Sequence, residues 1–218
     1  MGVCVLTSMF TDGFPAAFAQ RLRDRIQKRD RFAFVASEFE DAGEKNDRYF
    51  AVFLEMFMRC GIVFDNARVI DGRMTKEEIQ TETAAADVVW LAGGDTPVQY
   101  RYFEAYGLVP VLREHRGAII GMSAGAINMA QTAVCSVTCG HVRKEVYGAL
   151  GLVDISVEPH FDRGGAPEEL LRISREYPLY GLCDDSAIIY DHKETIYIGD
   201  VFLIDRGVVT RISPSGGD

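Results

Sequence analysis

Short apolar runs and amphipathic stretches take turns along the first two thirds of the chain, and this alternation most restricts what it can fold into. Residues 3–6 are apolar and too short for a helix. Residues 13–29 then carry Phe14, Phe18, Leu22 and Ile26 four apart, the stripe of an amphipathic helix with basic residues opposite. Residues 32–36 read as a second strand, and 47–60 as a helix turning Phe50, Phe53, Leu54 and Phe57 inward. Residues 62–70 form a third strand region, and 75–85 a polar helix with Thr75 at its N-cap. Residues 87–92 (DVVWLA) are a buried strand, with helices over 97–105 and 109–115. Residues 117–121 give the next strand and 126–131 the next helix. The last third is richer in strands (155–158, 187–190, 195–198, 201–204 and 208–212), with one helix over 167–177. Strand–helix alternation implies right-handed crossovers and a parallel sheet covered on both faces. The trailing hairpins extend that sheet or cap it. No linker or repeat interrupts the pattern, so residues 1–218 read as a single α/β domain.

Charge narrows the partners. Lys and Arg number 23 against 32 Asp and Glu, a formal charge of −9, which repels phosphate backbones and argues against nucleic acid. No apolar run approaches the roughly 18 residues that span a bilayer, and the first residues lack a basic leader segment, so a cytoplasmic location without membrane contact is expected. Five cysteines (Cys4, Cys60, Cys135, Cys139 and Cys183) lie in apolar settings, which fits reduced thiols better than disulfides. Cys135 and Cys139 have no second ligand pair, so no metal is expected. Phe10, Phe14 and Tyr102 belong either to the core or to the contact of a homodimer.

The chemistry concentrates in GAIIGMSAGAINMA, an apolar strand, a turn and a helix. Gly121-Met122-Ser123-Ala124-Gly125 fits G-x-S-x-G, the nucleophile elbow. Glycines two residues to either side of the serine let strand and helix approach at a strained turn. That turn holds the hydroxyl over the sheet's carboxyl edge, facing a helix N-terminus. The plainer reading is a glycine-flanked turn whose serine caps the helix. A second strand end, Ala92-Gly93-Gly94-Asp95, offers backbone N–H groups at Gly94 or Asp95 that could join that of Ala124 in holding an oxyanion.

A serine hydroxyl needs a base. Among His115, His141, His160 and His192, only His160 ends an apolar strand (SVEPHF); His115, among charged residues, reads as solvated, and His192 as a hairpin turn. The acid that would orient the imidazole stays open between Asp184, Asp185, Glu158 and Asp162.

Taken together, GGDTPVQ, GMSAGAINMA and EPHFD resemble the peptidase E (aspartyl dipeptidase) and cyanophycinase family of serine peptidases along most of the chain. The resemblance implies a fold like the class I glutamine amidotransferases: a flavodoxin-like, three-layer α/β sandwich with a mostly parallel central sheet. Those amidotransferases carry cysteine where this chain has Ser123, which points to the peptidase branch. Carried over motif by motif, the nucleophile falls on Ser123, the base on His160, 37 residues on, and the acid on Asp184, with Asp185 and then Glu158 as alternatives. The oxyanion donors fall on Gly94 and Ala124. The implied activity is hydrolysis of dipeptides or other short peptides through an acyl-enzyme, without cofactor or metal. Two features depart from the aspartyl dipeptidases: residues 135–139 lack the acid expected after the elbow helix, and after His160 only Arg163 and Arg172 are placed to meet a substrate aspartate. Two other readings remain: an α/β-hydrolase esterase using His192, and a non-catalytic ligand sensor that keeps the elbow as architecture.

Overall fold

The structure is a computed structural model that describes residues 2–191 and 194–212. In chain order the elements begin β1 (Cys4–Thr7), α1 (Ala16–Arg25), β2 (Arg31–Val35), α2 (Gly43–Arg59), β3 (Asn66–Ile70), α3 (Lys76–Ala85) and β4 (Val88–Leu91). There follow α4 (Thr96–Ala105), α5 (Leu108–Glu114), β5 (Ala118–Met122), α6 (Ala124–Met129), β6 (Thr132–Cys135) and β7 (Glu145–Gly148). The last are β8 (Ser156–Pro159), α7 (Glu168–Ile173), β9 (Leu179–Leu182), β10 (Ala187–Tyr190), β11 (Thr195–Ile198), β12 (Val201–Asp205) and β13 (Val208–Arg211).

Among the described residues the main sheet has seven strands in the order β11-β10-β1-β5-β4-β2-β3. The five from β1 to β3 are parallel, while β10 and β11 add on antiparallel. Every residue of β4 and β5 is buried, as the unbroken apolar runs VVWL and AIIGM require of strands covered on both faces. Phe18 and Leu22 of α1 and Phe53 and Phe57 of α2 pack on one face against Phe34, Trp90 and Ile120. Ile79 of α3, Phe103 of α4, Leu112 of α5 and Ile127 of α6 pack on the other, against Val35, Leu91 and Ile119. This is the three-layer sandwich the resemblance implied.

Between β2 and β4 the winding reverses: β2 leads outward to β3, whereas β4 leads inward to β5. Such reversals open a crevice at the carboxyl ends of the strands. The trailing strands do both things expected of them. The β10–β11 hairpin widens the main sheet, and β12–β13 joins β9 and β8 in a four-stranded second sheet backed by α7.

Thr75 caps α3 as expected, its hydroxyl accepting from the Glu78 N–H while the Glu78 carboxylate accepts from Thr75 N–H. Several boundaries move. The third strand is only Asn66–Ile70, because Ile62 and Phe64 reach the core from a loop. The helix after Ser123 begins at once, at Ala124, and the helix expected over 167–177 stops at Ile173. The β6–β7 hairpin and β9 were not anticipated as strands. Phe10 is 3% exposed and stacks on Phe18, Phe14 packs edge-on against Phe57, and Tyr102 stacks on Phe39, so all three serve the core. Among the described residues no helix is long and apolar enough to cross a membrane.

Candidate active site

Ser123 closes β5 with φ 50° and ψ −110°, a backbone conformation that a side chain rarely adopts. Its N–H is tied to the Thr7 carbonyl at 2.9 Å, and the two elbow glycines make the turn sterically feasible. A Cβ on Gly125 would lie 2.3 Å from the Leu91 carbonyl oxygen, and one on Gly121 would lie 2.6 Å from Gly125 C. Helix α6 therefore sits directly on β4 and β5, with Ser123 at the rim.

His160 follows β8 with φ 57°, and Asp184 follows β9. These two strands are parallel neighbours in the second sheet, so their carboxyl ends emerge side by side. Ser123 Oγ lies 3.0 Å from His160 Nε2, and His160 Nδ1 lies 2.8 Å from Asp184 Oδ1. The imidazole bridges the main sheet and the second sheet.

Asp184 is held from a third side. The hydroxyl of Ser8, a buried residue just past β1, donates to Asp184 Oδ1 at 2.7 Å and accepts the His160 N–H at 2.9 Å; Met9 N–H also reaches Oδ1, at 3.4 Å. Desolvation pushes the Asp184 carboxyl up, but the hydrogen bonds from Ser8 and His160 outweigh it and the group lies below the ordinary carboxylate range. Sequence reasoning missed Ser8. The signal was a polar Thr7-Ser8 pair closing an otherwise apolar strand.

The other carboxylates are placed elsewhere. Asp185, at φ 64°, turns to Thr11, accepting from its N–H at 3.2 Å and its hydroxyl at 3.3 Å. Glu158 is 2% exposed and accepts from Ser136 and Thr138 at 2.5 and 2.6 Å, because the left-handed turn at His160 breaks the strand alternation that would have aligned the two. Asp162 Oδ1 accepts from Gly164 N–H in a local turn. Burial pushes the Glu158 carboxyl up to about 7, against the lowering effect of its two hydroxyl partners.

The remaining histidines separate clearly. His115 is a correction: it is 6% exposed, with neither ring nitrogen hydrogen-bonded, and burial holds its pKa down. Its neighbours Arg113, Glu114 and Arg116 stay exposed, and the imidazole alone turns inward against Gly117, just before the amino end of β5. His141 ties the Ser136 carbonyl to the Thr96 hydroxyl at 3.0 and 2.9 Å. His192, the base of the esterase reading, lies outside the described residues.

Gly94 and Ala124 flank the serine from β4 and α6. Among the described residues neither N–H has a protein acceptor. A Cβ on Gly94 would lie 2.3 Å from Ser37 Oγ, so the residue after β4 approaches the loop after β2 too closely for any side chain. A pocket of about 320 Å³ opens over these strand ends, bounded by Ser123, His160, Gly93 and Gly94. Arg163 is taken up by Asp200 at 2.6 Å, and residues 135–139 use Ser136 and Thr138 to hold Glu158. All five cysteines are unpaired. Among the described residues no group of three or more His, Cys, Asp or Glu is placed to hold a metal ion.

Hydroxyl, imidazole and carboxylate joined in that order at the carboxyl rim of an α/β sheet have the geometry of the serine hydrolases. Comparison with known proteins is more particular: the model of peptidase family S51 matches residues 7–198, and the chain belongs to that family. It is 29% identical over 130 residues to the uncharacterized peptidase Lmo0363 of Listeria monocytogenes, an alignment spanning 55% of this chain and 63% of that relative. Two solved structures share the fold. A peptidase from an acI-B1 Actinobacterium superposes with a TM-score of 0.72 at 15% identity, covering 99% of this chain and 96% of the other. A candidate peptidase E from Listeria monocytogenes superposes with a TM-score of 0.66 at 21% identity, covering 98% and 100%.

Proposed function

We propose that the protein is a serine peptidase that hydrolyses short peptides, with Ser123 as nucleophile, His160 as base and Asp184 as the acid that orients it. Family membership supports the peptidase activity. The observation that carries the assignment is the unbroken hydrogen-bonded line from Ser123 Oγ through His160 to Asp184, at 3.0 and 2.8 Å.

Asp184 accepts a proton-bearing Nδ1 and leaves Nε2 free to take the Ser123 proton as the oxygen attacks a peptide carbonyl. The resulting oxyanion lies against the N–H groups of Gly94 and Ala124 at the positive end of α6. His160 then gives its proton to the leaving amine, which departs with the electron pair of the broken C–N bond. Water, deprotonated by the same imidazole, releases the acyl group from Ser123. A pocket of about 320 Å³ is near the small end of ligand sites, which suits a few residues of peptide rather than a folded chain.

The test is labelling by a fluorophosphonate together with a screen of di- to tetrapeptides. Labelling and hydrolysis in the native protein, both lost in Ser123→Ala and His160→Ala, are expected. Folded protein that neither labels nor cleaves would favour the sensor reading; activity that survives His160→Ala but not His192→Ala would favour the esterase.

A further inference from the structure

The pocket beside Ser123 has an uneven lining that bears on which peptides enter it. Its floor is carbon: Phe34 is 1% exposed, Phe53 and Met122 are each 4% exposed, and Ala92 is 6% exposed, all belonging to the aromatic core between the sheet and α2. Met9 and Tyr49, 39% and 48% exposed, form walls. Lys45 is the cation on the lining, and its ammonium is 2.8 Å from Glu38 Oε1, so the pair carries no net charge toward the pocket. Asn46 is similarly engaged, its amide donating to the Glu38 carbonyl and to Asp71 at 2.9 and 3.0 Å.

An acidic side chain entering this space would lose its water among aromatic and thioether groups and would share Lys45 with Glu38 in an exposed pair that contributes little. An apolar side chain needs neither and gains by covering the exposed parts of Met9 and Tyr49. Ser123 and His160 line the same pocket, so its occupant must be a residue directly flanking the bond to be cut.

Resting on the peptidase reading above, we propose that this pocket is a specificity site for an uncharged apolar or aromatic side chain adjoining the scissile bond, so that the preferred substrates are hydrophobic short peptides rather than N-terminal aspartyl ones. The α2 face at Lys45 and Tyr49 sets this choice. No basic residue from the segment after His160 is available on the pocket lining to reverse it, since Arg163 is held by Asp200.

The experiment is a matrix of di- and tetrapeptides varied at both positions flanking the cut, with fluorophosphonate labelling measured in parallel. At one flanking position Phe, Leu or Met is expected to give kcat/KM at least tenfold above Asp, Glu or Lys. Tyr49→Arg, on an exposed helix position that leaves the core intact, should lower the Phe-to-Asp ratio of kcat/KM at that position at least tenfold. Labelling accompanied by a preference for Asp, or by a flat profile at both positions, overturns the specificity assignment while leaving the nucleophile in place. An unchanged ratio in Tyr49→Arg also overturns it. Failure of both labelling and cleavage removes the peptidase reading and this proposal with it.

Discussion

Replacing Ser8 by alanine tests whether the site depends on a residue that never meets the substrate. The Ser8 hydroxyl donates to Asp184 at 2.7 Å, accepts the backbone N–H of His160 at 2.9 Å, and lies 3.5 Å from His160 Nδ1. A hydrogen bond to a charged group contributes about 1.5–3 kcal/mol. The His160 and Asp184 side chains are 35% and 44% exposed, so water weakens the interaction. A loss of about 1–2 kcal/mol is reasonable after that discount. If Asp184 supports the imidazolium formed in the transition state, kcat/KM falls about 5- to 30-fold, with kcat taking most of the loss. The second contact is structural: a His160 N–H without an acceptor costs about 1–3 kcal/mol of stability, visible in urea denaturation. Because the Ser8 bond is the foremost of the influences that lower the Asp184 carboxyl, its removal lets that carboxyl rise toward its ordinary range. Steady-state kinetics from pH 4 to 9 on folded Ser8→Ala is the assay. A kcat/KM within twofold of the native value would refute the reasoning, even if stability dropped.

Asp184→Asn is expected to lower kcat by about 10²- to 10⁴-fold through loss of the charge and tautomer that serve His160, while Asp185→Asn, at a carboxylate that accepts hydrogen bonds from Thr11, should stay within a few fold; steady-state hydrolysis of one good substrate decides it. Gly125→Ala places a Cβ 2.3 Å from the Leu91 oxygen, so α6 must lift from β4 at a cost of about 1–3 kcal/mol, with at least a tenfold loss of activity as Ser123 moves. Native thermal stability and activity in that variant would contradict the close packing. Glu158, with its carboxyl raised to about 7, is bound more tightly to its proton in the folded state. Stability from this group is full below the unfolded value near 4.3, declines as pH rises toward 7 and levels off above, by at most a few kcal/mol. The difference in urea midpoint between the native protein and Glu158→Gln, followed from pH 4.5 to 8, should show that window.

Much of the fold was legible because a sandwich of this kind writes itself locally. DVVWLA and GAIIGM read as strands covered on both faces, and the four-residue spacing of Phe18 and Leu22 packs one side of α1, although Phe14 precedes that helix and Ile26 ends it. The elbow was legible for the same reason, since strand, strained serine, glycines and helix are contiguous. The short β6, β7 and β9 escaped notice because four-residue strands carry little periodicity and are fixed by their partners. His115 was misjudged because its charged neighbours in sequence are not its neighbours in space.

What the sequence determined by itself was the sheet, the elbow and a shortlist of groups able to serve it. Only the tertiary structure decided among them. It turned Asp184 toward His160 and Asp185 toward Thr11, sent Glu158 to Ser136 and Thr138, and brought in Ser8 from 176 residues before Asp184. The physical reason is that a carboxylate's role depends on which way one backbone turn aims it and on what distant strand end meets it there. The left-handed residues His160 and Asp185 reorient neighbouring side chains in a way that strand periodicity does not encode.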